Sequence, residues 1–319
     1  MKKIILMVTF LLCIVTSVQA ADITASISIG YDTTEFDREH EVADTEASDY
    51  HNYNISGWVA YPLLSQVEAV AKFNYLDPDL EGVSARDEGY DVNIDDSFNK
   101  GYSVGGGFII DVTERFDAYV GLDYAFVEEK EETEDSEGRD VGYTFDREIL
   151  NFEAQLAYSL PHATFITRWG AVNNEHVENG EYDEDGNTHA YHVDNIHYLG
   201  FQFENAFSDS FSMGFDTVFF NGTQKDEDGG NTDGVEGNIF TIYSKYDFDN
   251  YNLALTTGYK RYHLDEDQEN GQDKAEGHSL FAKLTYTFNK PNTSRAKRMM
   301  LDDNSDFIWF EGTATGMLN

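Results

Sequence analysis

Two acidic stretches of the chain set oxygen donors close together. "YDEDGNTH" (residues 182–189) and "KDEDGGNTDG" (residues 225–234) set Asp183 and Asp185, then Asp226 and Asp228, beside turn-forming glycines. Calcium loops use such clusters, but over a longer spacing that closes on a bidentate Glu, which neither stretch has. The four aspartates are therefore weak calcium candidates, and solvated loops that repel their neighbours are the better reading. No other metal or cofactor is expected. "HAYHVDNIHY" gathers His189, His192 and His197, residue types that could act as a base. With nine histidines among 60 acidic residues, such proximity needs no function to explain it. His278 and Ser279 are neighbours that a strand would point to opposite faces, so they cannot form a nucleophile–base pair. No phosphate loop, nucleophile elbow or zinc motif is present. An enzyme is not expected.

The elements that carry these residues are read from periodicity. After Ala21, twelve segments of about ten residues alternate with period two, the pattern of half-buried strands. In the first, "ITASISIGY", Ile23, Ala25, Ile27, Ile29 and Tyr31 share one face, opposite Thr24, Ser26, Ser28 and Gly30. In the last, "GHSLFAKLTYTF" (residues 277–288), Leu280, Ala282, Leu284, Tyr286 and Phe288 oppose Ser279, Lys283, Thr285 and Thr287. Apolar spacing of three or four, which a helix requires, is almost absent.

Composition and the opening residues set the compartment. "MKKIILMVTFLLCIVTSVQA" (residues 1–20) has two lysines, an apolar stretch and a small-residue cleavage site after Ala20, so it reads as a signal peptide. Cys13, the only cysteine, leaves with it, which excludes a disulfide scaffold and cysteine metal sites. The net charge of −39 excludes nucleic acid as a partner, because phosphate binding needs the opposite sign. Acidic chains are often disordered, but 23 Phe, 20 Tyr and 3 Trp argue otherwise; these rings must be buried or lie against lipid. No apolar run after residue 20 is long enough for a spanning helix.

The connections and the rings decide for lipid. Strands meet alternately at short turns, such as "PLLSQ", "DVTER" and "SLPH", and at long acidic loops, such as "EEKEETEDSEGRD". That asymmetry separates the two ends of a transmembrane barrel. On the apolar parity, one aromatic belt (Tyr61, Phe116, Tyr158, Phe165, Phe211) flanks the short turns. A second (Tyr31, Tyr53, Tyr102, Trp169, Phe219) flanks the long loops. Rings settle in this way at the two lipid–water interfaces. The reading is all-β: a twelve-stranded antiparallel transmembrane β-barrel over residues 21–288, with acidic extracellular loops.

The strand rhythm and the closing "GHSLFAKLTYTF" resemble the outer-membrane β-barrels of Gram-negative bacteria over residues 21–288. The chain looks most like small monomeric porins, including the general and oligogalacturonate porins. Twelve strands also suit nucleoside channels and solitary autotransporter-type barrels. The resemblance implies the cell outer membrane, with lipid and lipopolysaccharide as surroundings. The basic lumen that the oligogalacturonate porins imply is not evident here.

Function then rests on the inward parity. Small inward residues, among them Gly105, Gly107, Gly121, Gly170, Gly200, Gly214 and Gly258, are expected to leave space, and twelve strands enclose an intermediate lumen. The expected pore-lining charges are Glu68, Asp117, Asp123, Glu153, Glu204 and Asp216 against Lys72, Arg168, Lys245, Lys260 and Lys283. Lys72, Lys245, Lys260 and Lys283 are expected side by side on one wall, facing an acidic wall across a wet pore. The expected function is passive diffusion of small hydrophilic solutes, with a modest cation preference set by the loops. A non-conducting surface barrel, adhesin- or receptor-like, is the alternative, and a surface hydrolase comes third. Residues 289–319, from "NKPNTSRAKRMM" onward, are expected to form a periplasmic extension, with a disordered tail as the alternative. Arg295, Lys297 and Arg298 would lie near the inner leaflet, with Phe307, Trp309 and Phe310 at the lower mouth or on a periplasmic partner.

Overall fold

The computed structural model describes residues 23–39, 48–81, 83–87, 90–94, 98–134, 140–178, 192–225, 232–268, 271–289 and 294–302. The leader, the four calcium candidates, His189 and the Phe307–Trp309–Phe310 cluster lie outside the described residues. The strands are β1 (Thr24–Glu39), β2 (Ser48–Leu64), β3 (Val67–Glu81), β4 (Val83–Asp87), β5 (Tyr90–Ile94), β6 (Phe98–Thr113) and β7 (Phe116–Glu134). They continue as β8 (Asp140–Ser159), β9 (Ala163–Glu178), β10 (His192–Ala206), β11 (Phe211–Lys225), β12 (Thr232–Phe248), β13 (Leu253–Gln268) and β14 (Gly271–Phe288). One helix, α1 (Arg295–Leu301), follows.

Twelve of these strands close into an antiparallel barrel, and β4 and β5 form a separate hairpin between β3 and β6. Closure is made by the twelfth periodic segment of the sequence. β14 pairs with β1 from Ala25 opposite Phe288 upward, and with β13 on its other side. Every barrel strand thus has two partners, which leaves no open edge among them and satisfies the backbone within lipid. Barrel strands run from 15 to 20 residues, longer than the ~10 needed to cross a bilayer, so they project beyond it.

Side-chain alternation sorts the two faces as the sequence indicates. Ile29, Tyr53, Val104, Leu122, Leu156, Trp169, Phe219, Ile242 and Leu284 are exposed on the outside. In water such a band would be an aggregation surface; in a bilayer it is solvated by acyl chains. All eleven expected pore-lining charges sit at inward positions, and seven of them, including Asp123, Arg168, Asp216 and Lys260, are buried.

Candidate functional site

The lower lumen carries an apolar patch along the wall from β2 to β9, where a water-filled pore would carry polar groups. Trp58, Ala60, Val70, Ile109, Tyr119, Ala157 and Ile166 point inward near the short-turn end and are buried. What covers them is α1, whose Ala296, Met299, Met300 and Leu301 join the same cluster. A seven-residue helix is too short to persist alone in water, so its existence depends on this socket. Each large apolar side chain it buries contributes about 1.5–3 kcal/mol.

Polar contacts fix the direction of entry. Asn289, at φ 53°, turns the chain beneath the barrel, and its Nδ2 donates to the Ile23 carbonyl over 2.6 Å. Ser294 caps α1 by accepting from the Lys297 amide over 3.1 Å. The Lys297 ammonium donates to Glu68 Oε1 over 2.7 Å and lies 3.0 Å from Asp111 Oδ1. Arg295 Nε lies 3.7 Å from Glu204. At the helix tip the Trp58 indole N–H donates to Asp302 Oδ1 over 2.9 Å, and Gln155 Nε2 donates to the Met300 carbonyl over 3.0 Å. Burial works against the Lys297 charge, but its hydrogen bonds to Glu68 and Asp111 outweigh that and raise its pKa above 10.5. The expectation that Arg295 and Lys297 lie near the inner leaflet is corrected by these contacts. Lumen carboxylates supply the counter-charge, and the apolar socket draws the helix inside.

Above the helix the charges pair along the wall rather than across the pore. Lys72 of β3 donates to Asp123 of β7 over 3.1 Å, spanning β6 at Gly105. Arg168 of β9 reaches both carboxylate oxygens of Asp216 on β11, spanning β10 at Gly200. Tyr198 reaches Glu153 over 3.0 Å across Gly170, and Tyr243 reaches Glu204 over 3.4 Å across Gly214. A Cβ at any of these glycines would overlap the side chain lying over it. These inward glycines therefore do not leave open space; they are the beds in which large neighbours lie flat. The four lysines are also not side by side. β1 and β2 separate Lys72 from Lys283, because β14 closes onto β1 rather than onto β3. Lys260 sits 4.9 Å from the centre of the Phe281 ring, Lys283 is buried, and Lys245 and Asp117 are half-buried nearer the short-turn end.

The upper lumen is divided. From β7 to β13 its inner face is an apolar cluster that includes Val127, Ile149, Val172, Ile196, Val218, Phe220, Ile239 and Leu264. These inward apolar residues are absent from the sequence reading, which attended to inward charges and small residues. The signal was there as lost alternation: in "TVFF" both parities are apolar at Val218, Phe219 and Phe220. On β14, β1, β2 and β6 the same height presents Ser279, Asp32, Thr34, Asn54 and Ser103. Two cavities lie over the helix tip, of about 40 and 70 Å³. Neither is a wide aqueous channel.

The remaining candidates do not assemble. His197 is exposed on the outer face, and His278 stacks on Tyr259, whose ring centre is 5.8 Å away, while Ser279 is buried inside. Among the described residues no group of three His, Cys, Asp or Glu side chains could hold a metal.

No family model and no curated protein matches the chain. Solved structures do. The translocator domain of the autotransporter NalP from Neisseria meningitidis superposes with a TM-score of 0.52 at 10% identity, over 83% of this chain and 88% of that one. The β domain of the Bordetella autotransporter BrkA gives 0.51 at 11% identity, over 83% and 100%. The Pseudomonas putida toluene transporter TodX gives 0.47 at 8% identity, over 84% and 89%. At these identities the likeness is one of fold: the chain closes into the twelve-stranded antiparallel β-barrel that outer-membrane proteins such as the NalP and BrkA domains share.

Proposed function

We propose that the protein is an outer-membrane channel for small hydrophilic solutes whose lower mouth is closed by its own C-terminal helix. The observation that carries this reading is the seating of α1 on a matching apolar wall from β2 to β9 and its fastening by Lys297 to Glu68 and Asp111. An apolar wall at the base of a pore has no use to an always-open channel. A short helix fastened by solvent-reachable ion pairs can leave it, and once out the helix has too few residues to hold its form. The route above it follows the polar wall of β14, β1, β2 and β6, since the opposite wall is packed with apolar side chains. Single-channel recording in planar bilayers tests the proposal. The full chain should be mostly silent, and a chain ending at Asn289 should show steady openings. Silence of the shortened, correctly folded barrel across salts and voltages would favour the second reading, a non-conducting surface barrel acting through its acidic loops. The apolar packing of the upper lumen supports that alternative.

A further inference from the structure

The 70 Å³ cavity has a chemistry of its own. Small polar residues line one wall, Asn54 and Ser56 on β2, Asn74 on β3 and Ser103 on β6, beside the rings of Trp58 and Phe73, and its floor is the plug tip at Leu301 and Asp302. The side-chain carbonyl oxygens of Asn54 and Asn74 are buried there without a hydrogen-bond partner. Asn54 is only 9% exposed, so its oxygen is withdrawn from bulk water. A buried amide oxygen left unpaired is costly, and the cost is recovered when a donor enters the cavity.

We infer that this cavity binds a neutral, hydroxyl-rich solute, a short polyol or the end of a monosaccharide, resting on the plug. Charge balance selects the class. The cavity holds two ammonium groups, Lys72 and Lys283, and two carboxylates, Asp123 and Asp302. Lys72 and Asp123 are already paired at 3.1 Å, and one oxygen of Asp302 is engaged by Trp58. A charged solute finds no net counter-charge and must disturb one of these pairs. A hydroxyl donates and accepts, so one polyol can give hydrogen bonds to both orphan oxygens and to Asp302 while accepting from serine hydroxyls. The cavity volume suits a few waters or the end of such a molecule.

This inference rests on the channel reading for its route but not for its test. Saturation-transfer NMR on the full chain in detergent, with erythritol as probe and acetate and methylammonium as charged controls, reads binding directly. Erythritol should receive saturation and the charged probes at least fivefold less. Asn54→Leu with Asn74→Leu, which fills the same space without acceptors, should reduce the erythritol signal at least fivefold. If that double variant fails to fold, Ser103→Val, beside Asn74 on the adjacent strand, narrows the same wall and should reduce the signal in the same direction. No erythritol signal in the native protein means that waters alone satisfy the two amides, and it overturns the inference. So does a signal that survives the variants, or an equal response to a charged probe. Erythritol binding to a barrel that stays silent after shortening would keep the site and sink the channel. Openings without binding would do the reverse.

Discussion

Lys297 is held between Glu68 of β3 and Asp111 of β6, two carboxylates that hydrogen-bonding register places at the foot of adjacent strands. The side chain is 11% exposed, Glu68 22% and Asp111 37%, so water screens the clasp without dissolving it. Charge-assisted hydrogen bonds of this kind contribute about 1.5–3 kcal/mol where buried and less where solvated. Lys297→Met keeps the apolar stem and removes the charge. It should raise open probability in planar bilayers by roughly tenfold, the equivalent of about 1.4 kcal/mol, with the barrel's heat stability little changed. A closed Lys297→Met channel would mean that the apolar socket alone holds the helix.

The raised pKa of Lys297 gives this clasp a pH dependence whose sign follows from linkage. A group whose folded-state pKa is raised contributes stability that is complete below its unfolded value and fades as pH climbs through the folded value. Docking of α1 should therefore hold to about pH 10.5 and weaken above it. Conductance recorded from pH 8 to pH 11.5 should rise only at the alkaline end. In Lys297→Met the alkaline rise should be absent.

Gly200 is the bed on which Arg168 crosses to Asp216, and its backbone has no room for a Cβ beneath the guanidinium. Gly200→Val should displace Arg168 and break its buried ion pair with Asp216, at a cost of about 3–5 kcal/mol. The same change at Gly234, where a Cβ meets nothing within 4 Å, should cost less than about 0.5 kcal/mol. Thermal unfolding of the two variants in detergent, followed by heat-modifiable gel migration, separates them. Equal stability would show that the bed is not needed.

The contrast between these glycines marks what periodicity can and cannot reveal. Alternation at Ile23 to Tyr31 and Leu280 to Phe288 placed both seam strands and their outer faces, because lipid imposes one rule on every strand. The inner face obeys no such rule. Whether Gly105 is a void or a bed depends on Asp123, two strands from Lys72, and that pairing is set by strand order rather than by neighbours in sequence. The socket was hidden for the same reason. Trp58, Ile109 and Ile166 sit on three separate strands, and only the curl of the sheet brings them to Met299 and Leu301. The helix gave some local notice in Ser294 followed by "RAKRMML", a capping residue ahead of good helix formers.

Selectivity should follow the loops. They carry most of the acidic excess, so cations should be enriched at the outer mouth and less so as salt shortens the Debye length from ~10 Å at 0.1 M to ~3 Å at 1 M. In the shortened barrel, reversal potentials under a potassium chloride gradient should indicate a modest cation preference that fades at high salt. A firm anion preference would mean that Lys260 and Lys283 govern the pore.

Assembly should not need the plug. β14 reaches its full pairing with β1 at Ala25 opposite Phe288, before the chain turns at Asn289, and none of the seam's ladder bonds involves α1. Tyr286 and Phe288 stack edge to face with ring centres 4.6 Å apart, at the end of the last strand, where the interfacial belt anchors it. A chain ending at Asn289 keeps the bond from Nδ2 to the Ile23 carbonyl and should reach the outer membrane in heat-modifiable form at near-native yield. A chain ending at Phe288 loses that bond and should assemble with slightly lower heat stability, by about 1 kcal/mol. The apolar socket of either, stripped of Met299 and Leu301, should bind an apolar fluorescent dye that the full chain excludes. If both shortened chains fail to insert, α1 is required for closure, and the helix is a structural part of the barrel rather than its removable floor.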